Sequence, residues 1–168
     1  MAHAPHVLRL GVISDLTALE TLEQRAFSSD RLSRRSFRDL LNSPNAALLV
    51  AEAGKNLSGY ALVLFRTGSI MARLYSLAVD PQHRGRGLGS MLLAAAEQAA
   101  GGRGSCVIRL EVREDNAAAA NLYRRHGYRK VKRISRFYED GGAAFRLQKC
   151  LDQSGKPGSA RPDDPEAA

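Results

Sequence analysis

The segment that most restricts this chain is Leu77-Ala78-Val79-Asp80-Pro81-Gln82-His83-Arg84-Gly85-Arg86-Gly87-Leu88-Gly89-Ser90. An apolar run that reads as a strand feeds a turn with glycines at 85, 87 and 89, and an alanine- and leucine-rich helix from Leu88 to Ala100 follows at once. Small residues let the backbone approach a ligand closely. The first N–H groups of a helix have no partner within it, and the dipole favours an anion at that end. Arg84 and Arg86 add charge suited to a diphosphate. Strand, turn and helix together predict an anion-binding corner. A tight turn with solvated arginines is the plain alternative.

Two familiar phosphate patterns do not fit. A nucleotide P-loop needs Gly-Lys followed by Ser or Thr, a triplet that does not occur here. A dinucleotide fingerprint needs G-x-G-x-x-G, whereas these glycines alternate.

The flanking periodicity fills in the layers. Val7 to Ile13 reads as a first strand, and Ser14 or Asp15 can cap a helix carrying Leu16, Leu19, Leu22, Glu23 and Phe27. A short helix is expected over Ser33 to Leu41, then strands over Ala46 to Glu52 and Leu57 to Phe65 around Gly54-Lys55-Asn56. Further strands are expected over Ala72 to Val79 and Cys106 to Val112, and a helix over Asn116 to Arg125 ended by Gly127. Tyr128 to Tyr138 and Ala143 to Leu147 read as strands joined by a hairpin at Asp140-Gly141-Gly142. Hairpins mixed with a crossover helix predict an α/β sandwich on one mixed sheet.

Size and composition agree with one such domain. The chain has 168 residues, 44% hydrophobic and 25% charged, enough for a core. We expect a folded unit over residues 7–151, a loose N-terminus over 1–6 and a disordered tail over 152–168, where three of the six prolines fall. Apolar runs such as Ala46 to Ala51 are far short of a membrane span, and no secretory h-region opens the chain. A cytoplasmic protein with no membrane partner is the expectation. Cys106 and Cys150 have no metal spacing and read as structural thiols. Four scattered histidines make a metal site unexpected. The net charge is +8, and +10 without the tail, which favours anionic partners.

Arg84-Gly85-Arg86-Gly87-Leu88-Gly89, just after Val79-Asp80-Pro81, resembles the acetyl-CoA signature of the GNAT superfamily of N-acetyltransferases. Leu110-Glu111-Val112-Arg113, Asn116-Ala117-Ala118-Ala119, Leu122-Tyr123 and His126-Gly127-Tyr128 follow in the family's order. That succession looks most like the bacterial ribosomal-protein alanine N-acetyltransferase branch. The resemblance implies a mixed, mostly antiparallel central sheet flanked by helices, with splayed strands holding acetyl-CoA as cosubstrate. It implies acetyl transfer to a primary amine, such as a protein N-terminal α-amine, by direct attack in a ternary complex.

The resemblance also assigns roles. Leu77, Ala78 and Val79 would offer backbone groups to the pantetheine arm, with the Val79 N–H facing the developing oxyanion. The segment Gly85, Arg86, Gly87, Leu88, Gly89 and Ser90, with Arg84, would hold the diphosphate, and Asn116 the pantetheine region. Tyr123, seven residues beyond Asn116 and able to share its helix face, would assist the departing thiolate. Glu111 would be the general base, acting through water. Tyr138 would lie on the acceptor side, although Ala143 stands where an acid is typical of that hairpin. Purely structural roles would be a core tyrosine at 123, a Glu111 paired with Arg109 or Arg113, and a packing role for Tyr138.

Arg124 to Arg136 holds seven Lys or Arg in thirteen residues and no acid. A solvated face, a contact for the CoA 3′-phosphate and an acidic acceptor surface are the candidate readings. Nucleic-acid binding is the rival class, but interleaved aromatics beyond Tyr128, helix-turn-helix and zinc patterns are lacking. Acetylation of small-molecule amines, or acyl-CoA binding without catalysis, would make equal use of such a site.

Overall fold

The structure is a computed structural model that describes residues 5–151. The tail over 152–168 and residues 1–4 lie outside the described residues. Among the described residues, seven strands form a single sheet: β1 (His6–Leu10), β2 (Ala46–Ala53), β3 (Asn56–Phe65), β4 (Met71–Val79), β5 (Val107–Arg113), β6 (Arg129–Ile134) and β7 (Ala144–Cys150). Their spatial order is β1-β2-β3-β4-β5-β7-β6, antiparallel except for the parallel pair β4–β5. That parallel pair needs a crossover, and the alanine-rich helix following the glycine turn supplies it. Among the described residues, four α-helices flank the sheet: α1 (Leu16–Ala26), α2 (Arg34–Leu41), α3 (Leu88–Gly102) and α4 (Ala117–Arg125).

Apolar periodicity divides the helices between two faces. Leu16, Leu19 and Leu22 of α1 and Phe37 of α2 pack on Leu48, Val50, Tyr60, Leu62 and Ala78. Leu88, Leu92, Leu93 and Ala96 of α3 and Tyr123 of α4 cover Ala61, Val63, Leu74, Ile108, Leu110 and Val112 on the other face. The runs of β2 and β3 are apolar on both faces because both are covered. Ser33 caps α2, its Oγ accepting from the Ser36 N–H at 3.0 Å. No helix among the described residues is long and apolar enough to cross a membrane.

Three local expectations need correction. The ordered chain starts earlier than expected, since His6 pairs with Ala53 at the start of β1. That strand ends at Leu10, not Ile13: Val12 and Ile13 are exposed, and a 3-10 turn over Ile13–Asp15 leads into α1. Asp15 stabilises this turn by accepting from the Val12 N–H at 2.8 Å. Finally, β6 ends at Ile134, and residues 135–143 form a loop with Arg136 at φ 52°. The tight hairpin expected at Asp140-Gly141-Gly142 is thus the tip of a broader connection.

Candidate functional site

The parallel contact between β4 and β5 lasts for three residue pairs, Met71–Val107 to Arg73–Arg109. Beyond it the two strands separate, each keeping its other neighbour: β4 stays on β3 up to Val79, and β5 stays on β7 up to Arg113. A wedge therefore opens in the middle of the sheet. Antiparallel pairing alternates the direction of backbone groups. The Asp80 N–H donates to the Ser58 carbonyl at 2.8 Å, so Ala78 likewise turns its N–H and C=O toward β3. Leu77 and Val79 turn theirs into the wedge. Of the three strand residues singled out in the sequence, Ala78 therefore has its backbone committed to the sheet.

The glycine turn stands beside the wedge. Gly85 and Gly87 have φ of +77° and +78°, a left-handed conformation that favours glycine, and open space surrounds where a Cβ would lie. Gly89 is different: a Cβ there would lie 3.3 Å from Leu122 Cδ2, so this glycine lets α4 approach α3. Gly87 is the N-cap of α3, without a side-chain cap, and the helix's first internal bond runs from the Met91 N–H to the Gly87 carbonyl. The amides of Leu88, Gly89 and Ser90 precede that bond and have no acceptor within the helix. The Leu88 side chain is buried and anchors the turn.

The two turn arginines do different things. Arg84 donates from Nε to the Val79 carbonyl at 3.2 Å and from Nη2 to the Ala26 carbonyl at 3.3 Å, tying β4 to the end of α1. Arg86 is exposed. Ser90 Oγ lies 3.0 Å from His126 Nε2 at the end of α4.

On the far side of the wedge, Asn116 caps α4, its Oδ1 accepting from the Ala119 N–H at 3.1 Å. Tyr123 lies two turns along α4, 7% exposed, with its ring edge against Tyr128 at 5.6 Å. Burial pushes its phenol well above the usual tyrosine value, and Tyr138 adds to the rise. No side chain among the described residues accepts its proton.

Glu111 is not paired with Arg109 or Arg113. Its Oε2 accepts from Arg73 Nε at 3.1 Å and its Oε1 from Arg146 Nε at 3.1 Å, with the carboxylate side chain 6% exposed. Arg113 instead lies 4.2 Å over the Tyr138 ring and donates to Asp140 at 2.8 Å. Tyr138 is half-buried, and its phenol is raised chiefly by that burial.

The surroundings of Tyr138 also hold residues whose part the sequence reading missed. Asp30, between α1 and α2, lies 3.7 Å from Arg113 and accepts from the Glu139 N–H at 3.2 Å, so the 27–33 and 135–143 loops meet. Glu23 is buried; it accepts from Tyr60 Oη at 2.6 Å and from the Leu32 N–H at 2.9 Å, fixing the first of these loops. Alternation along β5 could have paired Arg113 with the face of Glu111, but nothing local announced Asp30.

The sequence profile of the acetyltransferase (GNAT) family matches residues 14–128. The chain is 34% identical over 148 residues to the N-alpha-acetyltransferase RimI of Mycobacterium tuberculosis, covering 86% of this chain and 90% of that protein. Its fold superposes on the ribosomal-protein-S18-alanine N-acetyltransferase of Escherichia coli with a TM-score of 0.79 at 24% identity, covering 95% of this chain and 98% of the other. A chain of the NatC complex bound to Gag peptide and CoA gives a TM-score of 0.76 at 24% identity, over 88% of this chain and 99% of the other. The wedge in the sheet and the open amides beside it thus sit in a chain that belongs to the GNAT family and is an N-acetyltransferase, moving an acetyl group to an amine.

Proposed function

We propose that the protein transfers the acetyl group of acetyl-CoA to the α-amine of a polypeptide N-terminus, by direct attack in a ternary complex. The observation that carries this reading is the wedge between β4 and β5 lying next to the uncapped start of α3. The amides of Leu88, Gly89 and Ser90, with Arg86, hold the diphosphate, and the backbone of Leu77 and Val79 pairs with the pantetheine arm. Asn116 borders that arm. Acetyl-CoA supplies a thioester whose carbonyl oxygen becomes negative on attack, and the Val79 N–H is the donor placed for it.

The raised phenol of Tyr123 shapes its role. For ordinary values of about 10 and 8.5, proton transfer from tyrosine to a thiolate is uphill by roughly 2 kcal/mol. Burial of Tyr123 makes it steeper. Tyr123 therefore acts as a neutral hydrogen-bond donor whose bond strengthens as the thiolate leaves. Glu111 takes up the amine proton through water, using lone pairs that Arg73 and Arg146 leave open. The demand on it is small: an α-amine near 7.8 costs about 1 kcal/mol to neutralise at pH 7, against about 4.6 kcal/mol for a lysine. The similarity to the M. tuberculosis N-alpha-acetyltransferase supports this acceptor, and Tyr138 borders the place where it arrives.

Incubation with labelled acetyl-CoA and a mixture of peptides, polyamines and small amines tests the reading. Label on peptide N-termini is the expected result; label on small amines alone would overturn the polypeptide acceptor. Absence of calorimetric heat with CoA at millimolar concentration would overturn the site itself.

A further inference from the structure

The half of the sheet beyond the wedge is covered by helices on one face only. Ile108, Leu110 and Val112 of β5, with Phe145 and Leu147 of β7, lie under α3 and α4. Strand alternation sends Arg109 and Glu111 to the opposite face, with Gln148 and Arg146 across from them on β7 and Arg129 and Lys132 beyond on β6. Arg73 reaches the same place from β4 through its ion pair with Glu111. The helices α1 and α2 pack over β2, β3 and Ala78, so the core on this side contains no residue of β5, β6 or β7 among the described residues.

Five cations thus share this helix-free face with Glu111, while Arg113, also on it, is taken up by Asp140 and Asp30 at its edge. Glu111 engages Arg73 and Arg146. None of Arg109, Arg129 and Lys132 makes an ion pair among the described residues, and the buried Arg109 Nε has no hydrogen-bond partner there. Exposed cations normally alternate with acids; this surplus is concentrated beside the apex of the wedge, since Glu111 is two residues beyond the last β4–β5 pair.

We propose that this face binds acidic side chains that follow the acceptor amine in a polypeptide substrate. The inference rests on the polypeptide acceptor proposed above and specifies its chemistry. From β4 to β6 the face spans roughly 15 Å at about 4.8 Å per strand, the length of four or five extended residues. A chain whose N-terminus enters the wedge therefore lays its next few side chains over the arginines. Guanidinium forks match carboxylates in geometry as well as charge. RNA is the other polyanion for a basic sheet face, but sheet surfaces that bind it commonly carry stacked aromatic rings. The strand positions facing out here on β5, β6 and β7 carry no aromatic ring, and the tyrosines at the margins, Tyr75 and Tyr138, are already stacked with Arg73 and Arg113.

The test uses synthetic peptides sharing one N-terminal residue and differing at positions three to five, which are acidic, neutral or basic. Thiol release is followed at low and physiological salt, for the full chain and for the doubly substituted Arg129→Glu, Lys132→Glu protein. The acidic peptides should show KM values about three- to tenfold below the neutral ones, an advantage that shrinks as salt rises. In the double variant that advantage should vanish, while kcat on the neutral peptide and the melting temperature stay unchanged. Equal KM values across the panel would overturn the inference and leave N-terminal acetylation standing. If no peptide is acetylated at all, the acceptor reading beneath it fails as well. Displacement of the acidic peptide by a short RNA that binds more tightly would reassign the face to nucleic acid and overturn the inference too.

Discussion

Arg84 Nε donates to the Val79 carbonyl at 3.2 Å, so the first arginine of the glycine turn is tied back to the strand that precedes it. Arg86, two residues on, is exposed. The two should separate on substitution. Arg86→Ala should weaken CoA binding about three- to tenfold and flatten its salt dependence, while Arg84→Ala should act mainly through the mobility of the turn. Calorimetric titration at two salt concentrations checks this, and identical losses would mean that both arginines serve the anion.

The glycines should separate as well. Gly87→Ala forces a side chain into a left-handed conformation, at about 1 kcal/mol, and should also weaken CoA binding. Gly89→Ala gains about 1 kcal/mol of helix propensity against a 3.3 Å approach to Leu122, and should leave stability nearly unchanged. Thermal melting of both variants decides.

Tyr123→Phe should lower kcat by roughly ten- to a thousandfold with unaltered CoA affinity. Its hydroxyl has no protein acceptor among the described residues, so the melting temperature should not fall. A destabilised but fully active variant would make Tyr123 a packing residue.

Glu111→Gln removes the charge that Arg73 and Arg146 share. Should Glu111 receive the amine proton, the loss of activity will be steepest at lower pH, where the amine is mostly protonated. A loss of equal size at every pH would instead assign Glu111 to holding its two arginines.

Asp15 carries a prediction for stability. Its carboxyl is held below the usual range, first by hydrogen bonds from Arg9, against a desolvation cost, and further by the Val12 N–H. A depressed folded value means that the stabilisation is present above the unfolded value near 3.9 and is lost as pH falls through the folded value. Asp15→Asn should therefore cost about 1–2 kcal/mol at pH 7 and progressively less toward pH 2, measured by denaturant unfolding.

What could be read from the sequence was what local spacing encodes. The strand, glycine turn and helix from Leu77 to Ala100 are contiguous, and each part announces itself by composition. The exchange of Glu111's expected partners shows where such reading stops. Arg73 and Arg146 lie 38 and 35 residues away; Arg73 meets Glu111 because β4 pairs with β5 across the crossover, and Arg146 because β7 enters the sheet between β5 and β6. Neighbours along the chain, Arg109 and Arg113, were the natural guess, but each finds Gln148 or Asp140 instead. Tyr128 to Tyr138 read as one strand, whereas the pairing stops at Ile134 and Arg136 just beyond it takes a left-handed conformation. Gly89 showed the opposite failure: its place in a ligand-binding pattern hid a packing requirement set by Leu122.

The strand order has a further consequence for synthesis. β6 finds its neighbour only in β7, which emerges later yet occupies the interior position between β5 and β6. Until residue 150 has left the ribosome, β5 has no antiparallel support, and one jaw of the wedge stays unbuilt. A nascent chain halted before Ala144 would own the whole glycine turn and the start of α3, beside a wedge with one side still missing.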